Sequence, residues 1–427
     1  MGFPGRFKRP RGVFFGWRIV AIGAALNALF EGFYFSGSTV FFLPISRDLQ
    51  LSRAATSLVF GLSRAQLGIL SPIVGILIDR VGPRRMLITG ALLSGVGYLL
   101  VSQVDSLLFF LLFYTLIAST GFWVGFTNPA IAVANQWFIR RRGLAIAIVY
   151  VGMAGGGALL IPLLGLGLPH LGWRTTILLC GIAILVVGVP LSLLVRNTPE
   201  EMGLLPDGDQ VRPRETSTTT AERPDTTGED FEVKEALKTR SFWLLVLANG
   251  VRAMVEMGIW VQIVPILVWK GLSEPAAASM VGLILLLWVP TSLGAGSLGD
   301  RWPKQRSIAV LVIIGTLGLG SLLLPGSRWY AFLFIGLFAV SLGALPLIPA
   351  LTGDFFGRRR FATLRGLLIS VQSLTSVGTS IYVGWIFDRT GSYQWSLIPL
   401  VALFLLAAVL FWFLPRPRRV LVPAEAN

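Results

Sequence analysis

Gly75–Arg85 reads GILIDRVGPRR, and Gly296–Arg306 reads GSLGDRWPKQR. In both stretches an apolar run ends on Gly-x-x-x-Asp-Arg, passes through a short basic turn, and opens into another apolar run. Two copies of one loop at equivalent places mean that the chain is built from two related halves, and an internal repeat constrains architecture before any local reading does. Two further pairs agree. Leu26–Glu31, LNALFE, matches Val251–Glu256, VRAMVE; Trp137–Arg142, WFIRRR, matches Phe355–Arg360, FFGRRR. The three separations agree to within about two helical turns.

The apolar runs flanking these loops set the solvent. Of 427 residues, 54% are hydrophobic and 13% charged, with a mean hydropathy of +0.74, against about 25% charged in a soluble domain. A bilayer core takes about 20 apolar residues per helix. Runs of that size cover residues 17–43, 54–78, 86–104, 107–136, 143–168 and 175–195, then 241–268, 276–298, 307–325, 329–353, 365–387 and 395–414. The expected fold is therefore an all-α polytopic membrane protein of twelve transmembrane helices in two six-helix halves: an N-terminal bundle over 1–195, a cytoplasmic linker over 196–240, and a C-terminal bundle with a short tail over 241–427. The linker, with Thr216 and Thr218–Thr220 among Pro, Asp and Glu, lacks the apolar content to fold alone. The run from Trp17 is too long for a cleaved signal and reads as the first span.

A net charge of +15 suggests nucleic acid in a soluble protein, but here the basic residues sit in short clusters on alternate sides of the apolar runs. Most of them fall on the side bearing the termini, which places both termini in the cytoplasm. The expected setting of this multi-pass protein is the plasma membrane, a bacterial inner membrane foremost. The only Cys, Cys180, and the only His, His170, are too few for a metal cluster or a His-based catalytic centre. No metal, cofactor, nucleic-acid partner or enzymatic activity is expected.

GILIDRVGPRR carries the pattern GxxxDRxGxRR at Gly75, Asp79, Arg80, Gly82, Arg84 and Arg85, and the second copy keeps Gly296, Asp300, Arg301 and Arg306 while placing Pro303 at the second glycine. This resembles the loop between helices 2 and 3 of the major facilitator superfamily, and the six-plus-six layout extends the resemblance to the whole chain. The resemblance implies transport by alternating access. A carboxylate at a helix end beside arginines would latch the two bundles and release as they rock apart. Within the superfamily, WFIRRRGLAIAIVYVGMAGGG at Trp137–Gly157 is similar to the helix 4–5 junction of monocarboxylate porters and oxalate/formate antiporters, as Gly16 and Trp17 are to the start of their first helix. Two departures stand out: residues 276–298 hold no charge, and no lysine lies between 366 and 387.

An ionised group at mid-membrane is expensive and so marks a candidate functional residue. Four stand out: Glu31, Arg64, Arg252 and Glu256. Asn27, Glu31, Tyr34 and Ser38 follow one helical face, as do Asn249, Arg252, Glu256 and Trp260. Arg252 is the expected anion-binding residue, since a guanidinium offers a planar fork to a carboxylate, with Glu256 as its counter-ion in the empty site. Glu31 and Glu256 are the expected proton carriers, and Arg64 is an intramembrane charge partner, for Glu31 in particular. Asn27, Tyr34, Asn128, Trp260, Gln372 and Tyr382 complete the expected substrate contacts. The solute is expected to be a small organic anion moved with protons or against a counter-anion. The alternative is a proton-driven exporter of drugs or other solutes, for which the cavity should be chiefly aromatic and Arg252 tied to Glu256.

Overall fold

The computed structural model describes residues 14–51, 53–208, 230–325 and 328–417. These are helical, with no strand among the described residues, and form twelve crossing helices. We number them α1 (Phe15–Phe42), α2 (Arg53–Val81), α3 (Pro83–Val101), α4 (Leu107–Trp137), α5 (142–171), α6 (173–194), α7 (Arg240–Trp269), α8 (Glu274–Gly299), α9 (Lys304–Ser321), α10 (Trp329–Phe356), α11 (Phe361–Thr390) and α12 (Gln394–Trp412).

Local chemistry explains the breaks. Gly82 at φ +92° turns the chain between α2 and α3, a conformation that a side chain disfavours, and Pro83 then opens α3 at a position where its missing N–H costs nothing. Gly172 at φ +73° divides α5 from α6 within what is otherwise one continuous helix. His170 lies in the last turn of α5. α1 carries a π-helical stretch over Phe30–Phe35, in which Ser36 N–H reaches back five residues to Glu31 O at 3.0 Å. The extra residue in that turn rotates everything beyond it out of α-helical phase.

Two apolar cores result. One joins residues from Ile19 to Val195, together with Ala350, Phe361 and Ala362 at the contact between halves; the other joins residues from Phe231 to Leu414. Between lipid-solvated helices close packing replaces the hydrophobic driving force. α3 and α4 illustrate this: Gly90 and Gly125 meet backbone to backbone, and a Cβ on either would overlap the other's Cα.

The linker ends are more structured than their composition suggests. Pro199–Met202 and Pro206–Gly208 form 3₁₀ turns, and Val233–Leu237 is a helix started by a capping box between Glu232 and Glu235. Phe231 is buried edge-on to Phe356, with ring centroids 5.7 Å apart. The Thr run at 216–220 lies outside the described residues.

The halves meet along α2 with α11 and along α5 with α8. At the end carrying the repeated loops this contact is backbone-close: a Cβ at Gly75 would strike Ala362, one at Gly366 would strike Ser71, and one at Gly296 would lie 2.8 Å from Gly143 O. Toward the other end it opens. A Cβ at Gly61, Gly155, Gly282 or Gly378 would meet no atom at all. The same four helices are thus sealed at one end and splayed at the other, and a cavity of about 250 Å³ lies between the halves, lined from α1, α2, α4, α5, α7, α10 and α11.

Candidate functional site

The seal comes first. Asp79, in the last turn of α2, accepts hydrogen bonds from Ala362 N–H (3.2 Å), Thr363 N–H (2.8 Å) and the Thr363 hydroxyl (2.6 Å). Asp300, one residue past α8, accepts from Gly143 N–H (2.7 Å) and Leu144 N–H (3.0 Å). Each repeat therefore ends a helix with a carboxylate that caps the first turn of a helix in the opposite half, where free N–H groups and the helix dipole both favour an anion. The expectation of a carboxylate latch placed the partners on neighbouring arginines; the partners are backbone amides across the interface. Arg80, Arg85 and Arg301 are exposed, and Arg306 lies over the Trp412 ring at 5.8 Å. Arg84 braces the turn, donating from Nη2 to Leu193 O and from its backbone N–H to the Asn197 side chain, both at 2.9 Å.

A second layer lies beside it. Arg142 Nη1 meets Asp354 Oδ1 at 2.6 Å, and Lys304 Nζ meets Asp354 Oδ2 at 2.7 Å and Asp300 Oδ1 at 3.7 Å. Both cations are buried, so these ions satisfy one another out of water. Arg358 bonds Gln136 Oε1 at 3.0 Å and Glu200 at 3.1 Å, again across the halves. Asp207 and Asp230, at the linker's two described ends, each accept from the backbone of a triple-arginine loop: Ile139 and Arg140 for one, Arg358 and Arg359 for the other. Sequence reading missed Asp354 and these two aspartates. The available signal was an acid directly ahead of FFGRRR, where membrane orientation gives acids no role.

Above the seal, the cavity is lined by the rings of Phe30, Phe35, Trp123 and Tyr150 and by the polar groups of Thr127, Asn128, Asn249, Arg252, Thr352, Arg365 and Gln372. Arg252 is 1% exposed. Its Nη1 lies 2.5 Å from Glu256 Oε1, and Asn249 Oδ1 accepts from its Nη2 at 3.1 Å; Asn249 in turn donates to Gln372 Oε1 at 3.1 Å. Arg365, 7% exposed, donates from Nη1 to Asn128 Oδ1 across the interface. Among the described residues no carboxylate lies within ion-pair distance of its guanidinium.

Three expected contacts therefore share the cavity: Arg252, Asn128 and Gln372. The others do not line it. Asn27 holds Gly23 O at 2.8 Å and accepts from Thr127 at 2.7 Å; Tyr34 stacks on Phe122 and shares a 2.7 Å hydrogen bond with Ser119. Trp260 packs against the C-terminal core, and Tyr382 is 36% exposed away from the cavity. Glu31 accepts from the Ser36 hydroxyl and lies beside Gly157, and neither it nor Glu256 is a lining residue. The polar face expected along α1 assumed 3.6 residues per turn, which the π stretch breaks. The Arg64 side chain lies outside the described ones. Arg365 escaped the sequence reading because α11 was expected to begin there; it begins at Phe361, which carries Arg365 inside the helix and away from the Arg358–Arg360 cluster.

A family model described as Major Facilitator Superfamily matches residues 20–363. Monocarboxylate transporter 12-B of Danio rerio is 25% identical over 397 residues, covering 88% of this chain and 82% of the relative. Monocarboxylate transporter 11 of Homo sapiens is 26% identical over 414 residues, covering 94% and 83%. The uncharacterized MFS-type transporter YcxA of Bacillus subtilis is 24% identical, covering 88% of each. Among solved structures, the transporter FucP in the outward conformation superposes with a TM-score of 0.71 at 13% identity, covering 93% of this chain and 98% of FucP. The proton:xylose symporter XylE, bound to 6-bromo-6-deoxy-D-glucose, gives 0.66 at 16% identity, covering 94% and 96%. At these identities the two structures speak to the fold alone.

Proposed function

The chain belongs to the Major Facilitator Superfamily, and on that premise we propose that it is a secondary transporter of small organic anions, monocarboxylates foremost. One observation carries this reading: the cavity between the halves is lined by two buried guanidiniums, Arg252 and Arg365, and only the first has a carboxylate beside it. A surplus cation in a low-dielectric chamber is costly until an anion joins it. The sealed end carries the basic loops; with these on the cytoplasmic side, the seal is the cytoplasmic gate and the cavity opens outward. Release on the other side requires the Asp79 and Asp300 caps to part. The charge distribution of the loops favours an orientation with the basic loops in the cytoplasm, and the plasma membrane is the proposed setting.

Coupling follows from the same groups. Protonation of Glu256 frees Arg252 for the substrate, and Glu31, held against Ser36 in the π stretch of α1, is the second carboxyl placed to carry a proton. The exporter reading has two observations in its favour, the aromatic rings around the cavity and the Arg252–Glu256 pair; Arg365 weighs against it. Uptake of labelled lactate, succinate, xylose and a cationic dye into proteoliposomes under an imposed pH gradient separates the readings. Anion uptake, abolished by Arg252→Ala, is expected; dye transport without anion uptake overturns the proposal. Proton-driven accumulation that persists in Glu31→Gln removes Glu31 from coupling.

A further inference from the structure

Arg252 has a built-in counter-ion and Arg365 does not, which raises the question of what Arg365 does between substrates. Its guanidinium is more than nine-tenths buried, belongs to the second turn of α11, and reaches out of the C-terminal half to the Asn128 side chain on α4 of the N-terminal half. Both residues line the cavity. Just below them, Asp79 caps the same helix at Ala362 and Thr363, where the halves are backbone-close. Arg365–Asn128 is therefore a cross-half bond above the Asp79 cap, joined farther along α11 by the Ser370 hydroxyl donating to Gly68 O, and it is at the same time part of the binding surface.

A cation near a helix N-terminus is doubly disfavoured, by burial and by the dipole of its own helix. A neutral amide compensates only weakly, and a carboxylate makes a charge-assisted, bidentate bond instead. From this juxtaposition, and resting on the anion-transport reading above, we propose that Arg365 is the residue that couples occupancy to opening. An organic carboxylate entering the cavity takes the Arg365 guanidinium from Asn128, and loss of that cross-half bond loosens the cytoplasmic seal. Asn128 is then a gate partner and a surrogate ligand. Arg252, with Asn249 and Gln372 around it, holds the remainder of the substrate. The ligand class is a carboxylate small enough for a cavity of about 250 Å³.

The test uses the full chain in lipid nanodiscs, in a Cys180→Ala background, with spin labels at Arg140→Cys and Arg359→Cys, exposed positions in opposite halves at the sealed end. Sodium lactate, pyruvate and benzoate are compared with sodium chloride and lactamide. Quenching of Trp123 in the cavity wall reports binding, and the spin–spin distance reports opening. In the parent protein at least one carboxylate should quench and lengthen the distance while lactamide does neither. Arg365→Ala should weaken binding about tenfold to a hundredfold, the effect of one lost charge-assisted bond, and abolish the distance response. Asn128→Ala should lengthen the distance without ligand yet still bind. Asn128→Asp, which gives Arg365 an internal carboxylate and is the variant to rely on if Arg365→Ala misfolds, should lose both binding and response. Binding in Asn128→Asp equal to that of the parent, or an unchanged response in Arg365→Ala, overturns the coupling role while leaving anion transport standing. Absence of any carboxylate effect in the parent overturns the transport reading, and this inference with it.

Discussion

Replacing Asp79 with Asn keeps the side-chain shape and removes the charge. Asp79 accepts three hydrogen bonds from α11, at 2.6 to 3.2 Å, through both carboxylate oxygens. Asparagine offers one oxygen; its amide nitrogen turns a donor toward the remaining donors, so at least one charge-assisted bond is lost, worth about 1.5–3 kcal/mol. Loss of the charge at the helix N-terminus adds about 0.5–1 kcal/mol. The sealed form should therefore lose about 2–4 kcal/mol relative to the form open at this end, a shift of roughly 30- to 1,000-fold in that equilibrium. Ser71, buried in α2 against Gly366 of α11, serves as reporter. In a Cys180→Ala, Ser71→Cys protein, the rate of reaction with a charged thiol reagent applied from the loop-bearing side measures the open population. Asp79→Asn should raise that rate by at least tenfold. Gly75→Val, which wedges the same interface apart sterically, is the positive control. A rate unchanged in Asp79→Asn but raised in Gly75→Val would refute the argument, because packing alone would then hold the seal.

Arg142→Ala leaves Asp354 half-neutralised in a buried cross-half cluster. It should cost about 3–5 kcal/mol and lower the apparent melting temperature in scanning fluorimetry, which a conserved Arg142→Lys charge should partly restore. Gly90→Val drives a side chain into the Gly125 backbone and should abolish a monodisperse gel-filtration peak, whereas Gly155→Ala, with open space around it, should leave the peak unchanged.

The legible part of this protein was whatever one dimension can encode. Span lengths, the repeated GxxxDR loops, the clustering of basic residues and the charges interrupting apolar runs all follow from local composition against a bilayer of fixed thickness; they yielded twelve helices and two halves, and they singled out Arg252 as a candidate, which lines the cavity. Asp79 and Asp300 were legible as residues with a part in the contact between halves, because an acid at a helix end contributes nothing to orientation. Their partners were not. A backbone amide in the first turn of a helix is the same in every sequence, and only the tertiary arrangement brings α11 to Asp79 and α5 to Asp300. The face of α1 was misjudged for a similar reason. The π turn at Phe30–Phe35 is a difference of one hydrogen-bond register, invisible to a periodicity that assumes 3.6 residues per turn. Arg365 shows the limit most clearly: by sequence it belongs to the basic cluster beside it, and only the early start of α11, fixed by a carboxylate from the other half, carries it into the cavity.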